Sequence, residues 1–489
     1  MKNVISVLLV TFLCSISYVH AQPITLKQAI DAAISNNDKI KQYSEKVEQK
    51  KKAVTESKGN YLPSINLTGG FHHMDENLSM DLEPVRQAMI KIQAGNQVEF
   101  ANVYNLLQGG SGLTPQQRAS LYSSYSNNLG NQIPLFVETI KKQDYWSTTL
   151  TGTQPLFMGG KIISASHIAE KEKAIAEEEL EKTKNEITSE VISNYLNVVL
   201  MQNVIAVRQN VLAGMQQHRN DAKRIYEEGI IAKNQFLRSE VALADAERNL
   251  SDDNNKLSLA LIALKNSMGR NMNDVIDVND ELVYKSISDS LNNFKEDAYT
   301  SQPILKIIQL KKDQISDKFN IERSEFLPKI YFFGKYELMD KYLSILEPKW
   351  VVGIQGSINL FNGFKDKNKL QEIKHQGNEI DYLESDTKNK IDLLLEKNYR
   401  DMLNSKYRFE KLEANINLAD ENLRLTSGRF QTGMSTSLDV IDAQLVLEKN
   451  LIERKFSLFE YYKSINEIYL TTGNPREFLN VWNKQLQYE

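Results

Sequence analysis

The sequence predicts a mainly α-helical chain that also contributes to a membrane β-barrel, built as a duplicated helix-strand-strand-helix-helix unit that supplies four strands. Three observations predict this. Residues match one another at a fixed separation, proline-free stretches carry apolar residues every seven positions, and short flanking segments alternate apolar with polar residues.

The chain has 489 residues, of which 25% are charged and 41% apolar, slightly few for a globular protein of this size. Long exposed helices account for that balance. The formal net charge of −4, with acids and bases interspersed and no basic patch, argues against a nucleic-acid partner, because phosphate binding needs concentrated Lys and Arg.

Met1 to Ala21 reads as a secretory leader, with Lys2 as the positive end, an apolar run from Val4 to Val19, and Val19-His20-Ala21 as the cleavage site. The mature chain is then expected to begin at Gln22, outside the cytoplasm. Cys14 is the only cysteine, and the Leu13 before it is too large for a typical lipoprotein cleavage site. The mature chain is therefore expected to hold no thiol, disulfide or cysteine metal ligand. Beyond the leader no stretch of about 18 apolar residues occurs, so membrane insertion must use strands.

The duplication is read from a constant separation of 204 positions. Trp146 pairs with Trp350, Gly152 with Gly356, Leu156-Phe157 with Leu360-Phe361, Gly159 with Gly363 and Lys161 with Lys365. The register continues through Thr183-Lys184-Asn185 and Thr387-Lys388-Asn389, Asn194-Tyr195 and Asn398-Tyr399, Gly229 and Gly433, and Gly269 and Gly473. Upstream the separation is 265, as in Leu26 with Leu291, Ala33 with Ala298 and Leu62-Pro63 with Leu327-Pro328. Taking 204 from 265 leaves 61 residues inserted in the first copy, roughly within Phe71 to Tyr145, expected to form one long hairpin loop.

The expected organisation follows. The first repeat covers 22–269, with strands about 61–71 and 146–157, the inserted loop about 72–145, and a helical hairpin 161–268 that turns near Gly229. A segment 270–290 leads to the second repeat, 291–473, with strands about 326–338 and 350–361 and a hairpin 365–472 that turns near Gly433. A tail covers 474–489.

In the strands, Ile330, Phe332, Gly334, Tyr336 and Leu338 alternate with Lys329, Tyr331, Phe333, Lys335 and Glu337. Val352, Ile354, Gly356, Ile358 and Leu360 likewise alternate with Gln355, Ser357 and Asn359. One face suits lipid and the other a watery lumen. Trp146 and Trp350 each begin the second strand of a hairpin, where an interfacial aromatic anchors a membrane rim; an ordinary sheet tryptophan is the alternative. Four strands cannot close a barrel alone, and open edges are excluded from hydrocarbon, so the barrel is expected to be shared between chains.

In the helices, Val191, Val198, Ile205 and Leu212 fall seven apart, as do Leu395, Met402, Phe409, Ile416 and Leu423. The descending helix repeats the pattern in Leu243, Leu250, Leu257 and Leu264, whereas the second copy has Arg454 where a leucine is expected. Heptads alone also fit a periplasmic or surface coiled-coil scaffold, but that reading leaves the paired alternating strands unexplained.

Together these features resemble the TolC-like outer-membrane factors, over essentially the whole mature chain. The sharpest local match is the run from Arg429 to Ala443, Arg-Phe-Gln-Thr-Gly-Met-Ser-Thr-Ser-Leu-Asp-Val-Ile-Asp-Ala, with a weaker version at Tyr226-Glu227-Glu228-Gly229-Ile230. The resemblance implies a homotrimer, with a twelve-stranded β-barrel in the outer membrane of a Gram-negative cell and a long α-helical barrel across the periplasm. It implies a passive export duct of a tripartite efflux or type I secretion system, in contact with outer-membrane lipid. The partners would be a periplasmic adaptor (membrane fusion) protein and an inner-membrane pump of RND or ABC type.

Asp439 and Asp442 match the family's acidic constriction, which would attract cations. Thr436-x-x-Asp439 equally resembles a capping box. Gly229, Gly433, Tyr226, Phe430 and Ser435 would lie at the hairpin tips that dock the adaptor. Phe430 stands where a tyrosine is frequent, and Ser435 where a basic residue can latch the closed state. The inserted loop, with Pro84, Gly109-Gly110, Pro115, Pro134 and an amphipathic stretch near Val85 to Leu107, fits either a cap on the outer mouth or a decorative loop.

No nucleophile elbow, phosphate-binding glycine loop or zinc-protease motif occurs, so neither an enzyme nor a cofactor is expected. His72-His73 lack further ligands at metal spacing, and His167, His218 and His375 are isolated in sequence.

Overall fold

The computed structural model describes residues 23–287 and 289–483. The expected leader with Cys14, and residues 484–489 of the expected tail, lie outside the described residues. The described chain is mostly helical with a small antiparallel sheet. It divides into two compact units, one of Glu56–Ile163 with Asn320–Asn368, the other of the remaining described residues.

The first of these units holds a four-stranded antiparallel sheet of β1 (Ser64–His73), β4 (Asp144–Phe157), β5 (Lys329–Glu337) and β6 (Trp350–Ser357), in the order β1-β4-β5-β6. Its register gathers one apolar face. Leu67 lies opposite Leu150, Leu150 opposite Tyr336, and Tyr336 opposite Trp350, while Phe332 lies opposite Ile354. Phe71 lies opposite Trp146, with ring centroids 5.2 Å apart. Ile65, Leu67, Trp350, Val352 and Ile354 are all more than half exposed on this face. Neighbouring positions point the other way, and there the Ser64 hydroxyl meets that of Thr153 at 2.6 Å while Thr149 donates to Glu337. Strand β6 ends at Ser357, short of the expected 361, because the chain turns into the next helix through Gly363 and Phe364, both at positive φ.

The segment expected as one long loop folds instead into an ordered module. A short ribbon of β2 (Leu78–Asp81) and β3 (Val137–Lys141) carries α3 (Glu83–Leu107) and α4 (Pro115–Gln132). Helix α4 starts on a capping box between Thr114 and Gln117, with Pro115 at its first position, where a missing N–H costs nothing. Ile90 and Ala94, one turn apart on α3, are buried with Leu129 of α4, and Val98 is buried one turn further on. The Arg86 guanidinium locks the pair by donating to Ile133 O at 2.8 Å and to Gly130 O.

The second unit is helical: α1 (Leu26–Asn36), α2 (Asp38–Gly59), α5 (Lys161–Glu227), α6 (Lys233–Ser267), α7 (Leu291–Ser301), α8 (Pro303–Arg323), α9 (Lys365–Gln431), α10 (Ser437–Thr472) and α11 (Phe478–Trp482), with α2, α5, α8 and α9 continuing into the first. Helices α5 and α9 each have 67 residues, or roughly 100 Å at ~1.5 Å per residue. Thr25 and Ser290 cap α1 and α7 with their hydroxyls. Gly269 and Gly473, at φ 66° and 89°, end the hairpins, the former against the Asn36 carbonyl and the latter against the Ser301 carbonyl.

The core lies along α5, where Val191, Ile192, Tyr195, Leu196, Val198 and Val199 are fully buried. Tyr195 donates to Asp280 Oδ2 at 2.7 Å, and Trp482 Nε1 donates to the same oxygen at 3.0 Å, tying the 270–290 segment and the tail to this core. The heptad exception Arg454 keeps its place in the seam because its guanidinium lies 4.7 Å from the Phe409 ring centroid and pairs with Glu413.

Candidate gate at the hairpin tips

The run from Arg429 to Ala443 forms the turn between α9 and α10 and the first turns of α10. Gly433 adopts φ 74° and Gly229 φ 76°, the left-handed conformation that closes a helix with least penalty. A Cβ on Gly433 would come 3.1 Å from Ile230 Cγ2, so the two tips touch.

Between them lies a small core of Ala222, Ile225, Ile231, Phe430 and Val440, with Tyr226 stacked on Phe236 at its margin. Phe430 is 1% exposed, and its ring lies 4.8 Å from that of His218. The phenylalanine expected among the docking residues is thus a core side chain of the tip. A tyrosine hydroxyl there would need a buried partner, which accounts for Phe at this position.

His218 shares a 2.8 Å hydrogen bond with the buried Ser437 hydroxyl, and the Ser437 amide donates to Gln235 Oε1 at 3.2 Å. Burial holds the imidazole below the ordinary histidine range, against the opposing pull of Asp221. This contact joins residues 219 positions apart, and no sequence pattern marks it.

Asp439 caps the helix through one carboxylate oxygen. Its Oδ2 accepts from the Thr436 amide and hydroxyl, both at 2.8 Å, and from Ser435 Oγ at 2.9 Å. These donors, the Thr436 amide first, hold its carboxyl below the usual range. Ser435 therefore helps hold the turn. Asp442 is exposed one turn on.

Farther from the tips a buried ionic cluster crosses between the hairpins. Arg208 of α5 donates to Asp253 Oδ2 of α6 at 2.8 Å and to Glu448 of α10. Lys256 reaches the other oxygen of Asp253 at 2.8 Å. Asp253 and Glu448 are 3% and 5% exposed. Burial pushes the Asp253 carboxyl up, but the bonds from Lys256 and Arg208 outweigh it and hold the carboxyl below its ordinary value.

Two long helical hairpins joined in one chain to a sheet that is largely apolar on one face fit the class of outer-membrane channel subunits. Residues 29–270 match the model of the family described as outer membrane efflux protein. The chain belongs to that family, and its place is the outer membrane of a Gram-negative cell, extending into the periplasm. Members of the family are channels and not enzymes.

The fold is similar to that of the outer-membrane channel OprN, with TM-score 0.68 and 13% identity over 92% of this chain and 90% of that one. It is also similar to VceC of Vibrio cholerae, with TM-score 0.67 and 13% identity over 92% and 96%. The open-state MtrE channel of Neisseria gonorrhoeae matches at TM-score 0.64 and 15% identity over 92% and 89%. No curated protein matches in sequence.

Proposed function

We propose that three copies of this chain form a passive export duct, with a twelve-stranded β-barrel in the outer membrane and an α-helical barrel in the periplasm. The observation that carries the proposal is the sheet itself. It is apolar on one face, polar on the other, and ends at β1 and β6, whose outer edges lack a strand partner among the described residues. Such edges are untenable in hydrocarbon until a neighbour pairs with them. Helix α9 supports the same reading, because Tyr382, Leu393, Tyr407 and Leu418 stand more than 60% exposed on it, while α5 buries most of its apolar side chains. In this reading the two copies of the repeat contribute a strand hairpin and a helical hairpin each. Trp146 and Trp350 mark the outer rim, and 270–290 with the tail forms the equatorial segment.

Cargo is delivered by an inner-membrane pump of RND or ABC type through a periplasmic adaptor, which meets the tips near Gly229, Gly433, Tyr226 and Ser435. The likeness of the fold to outer-membrane channels supports the duct. Extraction from outer membranes as a detergent-soluble trimer tests the assembly, and a chain that stays soluble in water without detergent would instead be the coiled-coil scaffold.

At the gate, Asp442 is free to face the lumen while Asp439 serves its cap. Asp442→Asn is expected to weaken trivalent-cation block of single-channel current on the order of tenfold, and Asp439→Asn considerably less. Unchanged block in the double variant would remove both carboxylates from the constriction.

A further inference from the structure

Helix α3 of the inserted module has two apolar faces. One carries the buried Ile90, Ala94 and Val98, of which Ile90 and Ala94 pack with Leu129 of α4. The other, nearly opposite at 100° per residue, carries Val85, Met89, Ile92, Phe100, Val103 and Leu107, each 47% exposed or more, up to 80% for Leu107. Asn96 is the only polar residue within that stripe, and the charged residues of the helix, Glu83, Arg86, Lys91 and Glu99, lie outside it. Helix α4 contributes only Arg118 as a charge. A solvent-facing helix is ordinarily charged on its outer side, and a contiguous exposed apolar stripe marks a contact surface.

The module's attachment says what that contact is. It grows from the hairpin of β1 and β4, with the Met74 amide donating to Gln143 O at 2.9 Å, and Lys141 pairs with Glu347 of the β5–β6 turn at 2.7 Å. It is thus fixed to the sheet end that carries Trp146 and Trp350. Strand β1 is also an edge of the sheet. Any assembly that closes β1 of one copy on β6 of the next brings successive modules to a common rim.

We propose that the outer stripe of α3 packs against the same stripe of neighbouring copies, so that three modules meet over the mouth of the barrel and close it from outside. The proposal rests on the trimeric duct above. The occupant is a second copy of this chain because the stripe is uncharged and self-complementary, and because the edge pairing delivers copies of it side by side.

The test uses the full-length protein in outer membranes, where Cys14 belongs to the expected leader and the mature chain offers no competing thiol. Ile92→Cys, Phe100→Cys and Val103→Cys, made singly, are expected to give oxidised dimers about tenfold more abundantly than Lys91→Cys on the flank of the same helix, since disulfides demand close Cβ approach. Phe100→Asp with Val103→Asp is expected to raise single-channel conductance. Light scattering in detergent reports the trimer independently. A trimer in which no stripe variant cross-links overturns the closure and leaves the duct standing, whereas a monomer overturns both. Labelling of the stripe variants by a membrane-buried maleimide, in place of cross-linking, would assign the face to lipid and also overturn the closure.

Discussion

Arg208→Met is expected to destabilise the helical hairpins by about 3–5 kcal/mol, the cost of leaving buried carboxylates without their counter-ion. Asp253 would keep Lys256, but Glu448 would lose the Arg208 guanidinium that reaches it from the other hairpin. Replacing all three by apolar residues, Arg208→Met with Asp253→Leu and Glu448→Leu, is expected to recover most of that loss, because a desolvated ion pair is costly to build as well as to break. The guanidinium unfolding midpoint of the detergent-solubilised protein reads both. A single variant that moves stability by less than about 1 kcal/mol would mean the cluster is solvated and contributes like a surface pair. The same cluster sets a pH dependence. The Asp253 carboxyl is held below its unfolded value, so its contribution is full above about pH 4 and is lost as pH falls through the depressed value.

Gly269→Ala is expected to cost about 3 kcal/mol, whereas Gly229→Ala should cost about 1 kcal/mol. Both glycines have positive φ, so both substitutions incur the left-handed penalty. Only Gly269 adds a collision, since its Cβ would come 2.8 Å from the Asn36 carbonyl carbon and oxygen, backbone atoms that cannot rotate away. Gly229 has no neighbour within 4 Å. Gly473→Ala should follow Gly269→Ala, with a Cβ 3.0 Å from Gln302 Cα and Ser301 O. Thermal dissociation of the detergent-solubilised protein would measure all three, and equal losses at Gly229 and Gly269 would mean that the turn conformation, and not the packing on Asn36, sets the cost.

Much of the fold was legible because the signals were local. The alternation around Phe332 and Ile354 already names the apolar face that the strand register assembles. Thr436-x-x-Asp439 already spells the cap that occupies Asp439. Helix α3 was legible as an amphipathic stretch, but α4 was not, because its Ser, Asn and Gln residues give little apolar periodicity and its start rests on the Thr114 cap. The contacts of His218 with Ser437 and of Arg208 with Glu448 lie beyond sequence reading for a physical reason. Their partners sit 219 and 240 positions away on other helices, and only the packing of two hairpins brings them together.

The contrast between α5, which buries most of its apolar side chains, and α9, which leaves several exposed, carries a consequence for biogenesis. If the chain assembles as the proposed trimer, a lone copy completes its Tyr195 core unaided, yet displays Leu393, Leu418 and two strand edges until others arrive. For that trimer, folding is expected to split into a fast unimolecular stage and a slow one whose rate rises with copy number. In that interval the chain is sticky, and scarce expression prolongs the interval. On that proposal the periplasm shelters a half-finished product, and dilution is expected to slow maturation without slowing the first collapse.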